Sequence, residues 1–130
     1  MNELISINEN ENRVFCTLDL TDKENCIKLY NANENCDELL INLVGKKINI
    51  DDVYMTEYFN DDIKKVKTII FDNKNNKTYV STAFGVVSSL NQIINIFGYP
   101  PYDFEFEVIK KEIVTKKGEK GYILKLKACL

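Results

Sequence analysis

The 130-residue chain contains no histidine. That absence removes the commonest general base and with it any Ser-His or Cys-His nucleophile pair, so most hydrolase mechanisms are excluded and no catalytic residue is assigned. Cysteine is present but poorly spaced for a metal. Cys16, Cys26 and Cys36 stand ten residues apart, Cys129 is isolated and no CxxC pair occurs, which argues against zinc and for small buried thiols in a reducing compartment. The five glycines are scattered, so no phosphate-cradling loop exists and no cofactor is implied. No stretch approaches the roughly eighteen apolar residues of a membrane span, and the opening Met1-Asn2-Glu3-Leu4-Ile5-Ser6-Ile7 lacks a basic leader pattern. A soluble cytoplasmic protein without membrane contact is expected.

What remains is an ordinary globular composition, 45% hydrophobic and 28% charged, sufficient for one domain with its own core. The net charge of −3 conceals a division. Residues 1–63 hold 14 acidic and 5 basic side chains, a balance of −9, whereas residues 64–130 hold 6 acidic and 12 basic, a balance of +6. A basic second half supplies a local surface that attracts phosphate even in an acidic protein.

Hydrophobic period and turn residues predict the elements. Residues 1–12 are polar and acidic and read as a flexible segment. A hairpin is expected from Arg13–Leu18 and Cys26–Tyr30 around a turn at Thr21–Asn25, then a short helix within 31–45, capped by Asn33 or Asn35 and stopped by Gly45. From Lys47 to Tyr58 the pattern alternates, with a phase shift at Asp51-Asp52 that suggests a bulge. Asn60-Asp61-Asp62 is a turn, Lys65–Phe71 a strand, Asp72–Asn76 a hairpin turn and Thr78–Thr82 a strand. Phe84, Val87, Leu90, Ile94 and Phe97 recur at helical spacing, beside Val86 and Ile93, and Gly98 followed by Pro100-Pro101 ends that helix. Phe104–Val108 and Tyr122–Lys127 alternate again across a charged loop at 115–121.

Strand-strand-strand-helix-strand-strand over residues 46–130 is the order of the five-stranded OB barrel, which takes single-stranded nucleic acid or oligosaccharide. The expected fold is therefore a β-rich α+β domain, an OB-like barrel at 46–130 with an added N-terminal hairpin and short helix at 13–45. Two constellations suit such a ligand. Lys65, Lys67, Ile69 and Phe71 share one strand face, Tyr79 and Ser81 another, and Tyr54, Thr56 and Tyr58 a third, so ammonium groups and flat rings are interleaved as a single strand requires. The second comprises Lys110-Lys111, the loop lysines Lys116, Lys117 and Lys120, and Lys125 with Lys127, at the loop that often contacts OB ligands. The pairs Asp51-Asp52 and Asp61-Asp62 read as turn chemistry rather than as metal ligands.

The stretch from Tyr79 through Ala83-Phe84-Gly85 to Leu90, with Phe97-Gly98-Tyr99-Pro100-Pro101 and Val114-Thr115-Lys116-Lys117-Gly118, resembles the small single-stranded-DNA-binding proteins of tailed phages over roughly residues 26–128. The resemblance implies an OB-type domain that coats single-stranded DNA in replication or recombination without catalysis. Phage or host replication proteins and further copies of the chain are the protein partners it leaves room for.

The nucleic-acid-binding candidates are Lys65, Lys67, Phe71, Tyr79, Lys111, Lys116, Lys117, Lys120 and Lys125. A second class stays open, in which the acidic half makes the chain a phage protein-interaction factor, an inhibitor of a host defence complex or a mimic of nucleic acid.

Overall fold

In the computed structural model, which describes residues 12–129, the chain runs through β1 (Asn12–Cys16), α1 (Lys23–Glu34), β2 (Glu38–Leu39), a 3-10 turn at Leu40–Leu43, β3 (Lys47–Ile48), β4 (Asp52–Asn60), β5 (Ile63–Asp72), β6 (Lys77–Ser81), α2 (Phe84–Phe97), β7 (Phe106–Val114) and β8 (Lys120–Ala128). The expectation for residues 1–12 lies outside the described residues except for Asn12, which opens β1.

Turn chemistry sets the hairpins. Asp61 and Asp62 both take positive φ, 53° and 63°, between the paired residues Asn60 and Ile63. That is the two-residue turn whose twist suits antiparallel strands. Asn76 (φ 54°) closes the β5–β6 turn. Gly98, at φ 87°, ends α2, and its N–H donates to Ile94 O at 2.9 Å.

Two open sheets result, one ordered β1-β4-β5-β6-β2 and one ordered β3-β7-β8. Over residues 46–130 four strands, not the expected three, precede the helix and two follow it, and the arrangement is consistent with a barrel-like OB-type fold. It is not the closed five-stranded barrel expected. The segment 47–60 is two strands in different sheets rather than one bulged strand, with β3 pairing β7 and β4 pairing β1 and β5. On the other side β6 pairs in parallel with β2 and not with β8. The edge on which a ring would close is already taken.

The N-terminal hairpin is likewise corrected. Residues 26–30 lie in α1, and the helix expected within 31–45 is instead the end of α1 followed by β2 and the 3-10 turn. Asp22 caps α1 by accepting the Glu24 N–H at 3.0 Å. The cysteines also differ from expectation: Cys26 is exposed, and Cys16, Cys36 and Cys129 are half-buried.

Hydrophobic residues separate into two clusters. Val53, Met55, Val66, Ile70, Tyr79, Val86, Leu90, Phe106, Val108, Leu124 and Leu126 belong to the main core between the sheets and α2. Leu18, Ala32, Tyr54, Ile69 and Phe71 form the second, beneath α1. In α2 the buried face is Val86, Ser89, Leu90 and Ile93, turned from the expected stripe, and Phe84 and Phe97 are exposed.

α2 lies along β8. The Leu126 N–H donates to Ser89 Oγ at 3.1 Å, and a Cβ on Gly85 would come within 2.2 Å of Leu124 O. Replacing Gly85 by alanine should therefore destabilise, by about 1–3 kcal/mol of overpacking, despite the roughly 1 kcal/mol that alanine gains in a helix interior. Urea unfolding measures it, and an unchanged midpoint would contradict the close approach.

Asp72 is fully buried and accepts from Asn49 N, Asn75 N, Asn75 Nδ2 and Tyr79 Oη at 2.8–3.1 Å. Burial pushes its carboxyl up, but the bonds from Asn75, Asn49 and Tyr79 outweigh it and hold the group below its ordinary value of 3.8. A carboxylate depressed in the folded state contributes stability that is complete above the ordinary value and is lost as pH falls through the folded one. Asp72→Asn should lower stability at pH 7 and flatten its decline below about pH 4. Acid titration of the unfolding midpoint checks this.

Candidate nucleic-acid interface

Strand alternation and register decide what each face of the β4–β5–β6 ladder presents. Tyr58 opposes Lys65, Thr56 opposes Lys67 and Tyr54 opposes Ile69, so these side chains share the sheet's outer face with Phe71. Helix α1 lies on half of that face. Tyr54, Ile69 and Phe71 are covered there, and Lys28 of α1 holds its Nζ 5.2 Å from the Phe71 ring centroid while donating to Asn73 Oδ1 at 2.8 Å. Lys67 reaches the end of the same helix and donates to Asn33 Oδ1. Beyond the helix Tyr58, Lys65 and Lys67 remain half-exposed. This strip is what the first constellation leaves open to solvent.

The expected stacking rings are corrected. Phe71 opposes Thr78 and Tyr79 opposes Ile70, so Phe71 and Tyr79 point to opposite faces of the sheet. Phe71 is 0% exposed beneath α1, and Tyr79 is 4% exposed in the main core. Burial first, and then the bond to Asp72 and that carboxylate's charge, push the Tyr79 hydroxyl well above its ordinary value. Neither ring offers a face to a base in this arrangement. The physical reason is that a sheet packed on both sides consumes the aromatics of both faces.

The other lysines belong to the β7–β8 hairpin, whose far half projects past the core as an arm. Residues 110–112 and 114–120 are exposed, as is Tyr122. Register places Lys111 opposite Ile123 and Lys125 opposite Ile109, and so both on the outer face with Lys127. Lys47 joins them from β3 through its pairing with Glu107. Lys120 opposes Val114 and shares the other face with Lys110 and Tyr122. Lys116 and Lys117 occupy the tip, a loop braced by Thr115 N to Glu119 O (2.8 Å) and Gly118 N to Thr115 O (2.9 Å), with Gly118 at φ 78°. Among the described residues the ion pair is Lys64 with Glu57, at 2.9 Å, so the arm lysines keep their charge for solvent or ligand.

The nine candidates thus divide. Lys65 and Lys67 form one strip, Lys111 and Lys125 the outer face of the arm, Lys116 and Lys117 its tip, and Lys120 its inner side, while Phe71 and Tyr79 are interior. Lys47 and Tyr122 were passed over, because their places follow from strand pairing that the sequence alone does not fix. Among the described residues no group of three or more metal-ligating side chains occurs, and no helix is long and apolar enough to cross a membrane.

A family model described as phage single-stranded DNA-binding protein, of the phi29 type, matches residues 8–127. The chain belongs to that family. No curated protein and no solved structure gave a significant match. For this member of the phage single-stranded DNA-binding family, the matched range takes in α1 and both sheets together, so the helix over the outer face falls within the span shared by the family.

Truncating Phe71 to alanine should cost about 3–5 kcal/mol of stability, as for other buried rings. Tyr58→Ala and the pair Lys65→Glu, Lys67→Glu should fold as the parent does. Thermal and urea unfolding separate these, and a Phe71→Ala protein as stable as the parent would refute the burial.

Proposed function

We propose that the chain binds single-stranded DNA stoichiometrically and without catalysis during phage DNA replication or recombination, in the cytoplasm of the infected host. The observation that carries this reading is the family match over residues 8–127. The two open sheets are read as an OB-type barrel parted at one seam, with the arm in the place of the loop that commonly grips OB ligands. Lys65 and Lys67 beside Tyr58, and Lys111, Lys116, Lys117, Lys120 and Lys125 on the arm, would neutralise phosphates.

The acidic half gives less support to a docking role, since many of its carboxylates are engaged within the fold. Asp22 caps α1, Asp19 accepts from Thr21, Asp37 from Thr78, Asp51 from Asn73 and Asp52 from Thr17. Carboxylates that hold turns and caps are poor material for imitating a phosphate array.

The experiment is fluorescence anisotropy with a labelled oligo-dT across a salt series. Log affinity should fall linearly with log salt, at about 0.7 per phosphate neutralised on a single strand, and duplex should bind more weakly. Changing Lys116, Lys117 and Lys120 to glutamate should weaken binding, while neutralising Glu34, Asp37 and Glu38 should not. Absence of binding at low salt, or a lysine triple variant that binds like the parent while the acidic changes abolish capture of a host protein, would reject the reading.

A further inference from the structure

Where β6 turns away from β8 the molecule is open, and the opening is a groove of about 400 Å³. Leu39, Ile41, Val80, Thr82, Ala83 and Leu124 contribute to its wall, and among the described residues no charged side chain does. That volume lies within the range of pockets that hold small molecules. Leu39 and Ile41 are 54% and 49% exposed, an apolar surface left to water beside a polar arm.

The arm continues the groove. Leu124 lines it, and the next residue of β8 on the same face is Tyr122, about 7 Å further out and 65% exposed. Lys110 opposes Leu124 across the ladder, and beyond Tyr122 on that face stand Lys120 and Val114. Glu112, opposite Tyr122, is the acidic member of the face, against two lysines here and two more at the tip. An uncharged apolar floor, a free aromatic ring and flanking ammonium groups are the three things that a base and its phosphates need from a protein.

Resting on the single-strand reading above, we infer that this seam is the base-binding channel, with nucleobases seated over Leu39, Val80 and Ala83 and stacked on Tyr122, and with Lys110 and Lys120 on the adjoining phosphates. The occupant is the nucleobase face of single-stranded DNA rather than a protein segment, because the lysines on the rim complement phosphate and the ring offers a stacking surface to any base.

The test uses the full chain with an oligo-dT, in which one thymine is replaced by 5-iododeoxyuridine for photocrosslinking. The crosslink is expected on Tyr122. Tyr122→Ala should weaken binding about ten-fold, in keeping with one lost stacking contact, and Tyr122→Phe should retain it. Thr82→Trp, which fills the groove from an exposed position, should weaken binding without lowering the melting temperature. If that variant does not fold, the Tyr122 pair decides alone. A parent protein that binds while Tyr122→Ala binds equally well, or crosslinks confined to the Tyr58 strip, would overturn the channel and leave the function standing. A parent that does not bind at low salt removes both.

Discussion

Burial of both faces of the β4–β5 ladder is the constraint on which the rest of the structure depends. Val53, Met55, Val66 and Ile70 look inward to the main core, and Tyr54, Ile69 and Phe71 look outward to a second one. An apolar outer face needs a cover, and α1, with Ala32 buried and Leu29 beside it, supplies one. The surface on which an OB strand pair would present rings is thereby closed at one end. What stays open is displaced to the Tyr58–Lys65–Lys67 strip, to the arm and to the seam.

Much of the second half of the fold was legible, because its signals are local. The helix at 84–97 has the expected limits: its spacing is helical, Gly98 accommodates a positive φ and two prolines follow. The turns at Asp61-Asp62 and Asp72–Asn76 were equally readable, since few residues other than Asn, Asp and Gly tolerate their backbone. The segment 23–34 misled because Cys26-Ile27-Lys28-Leu29-Tyr30 alternates like a strand while having few apolar residues to mark a helical face. Its signal was Asp22, a helix cap standing in what looked like a turn. The two-stranded division of 47–60 and the pairing of β2 with β6 depend on partners remote in the chain, which no local pattern encodes.

The candidate site followed the same division. The lysines lie at the surface, where a charged side chain goes wherever its strand lies. The rings were misplaced because an aromatic on an alternating strand has two faces to choose from, and here both are buried at Phe71 and Tyr79. Asp72 shows why that matters for the charge asymmetry. Much of the acidity is placed in turns and caps, and one carboxylate is drawn into the core to fix Tyr79, so the projecting surface is more basic than a net charge of −3 suggests.

The open seam is consistent with this economy of edges. A free strand edge invites unwanted pairing unless it is covered, and each edge at the seam has its own cover. β2 pairs with β6, and α2 lies along β8, where Ser89 accepts the Leu126 N–H and Gly85 permits contact with Leu124 O. With β2 on the edge of β6 and α2 along β8, the two strands do not pair, and a space stands between them. The opening follows from how the edges are capped, and it lies beside β8, which carries lysines and the exposed Tyr122 beyond the core.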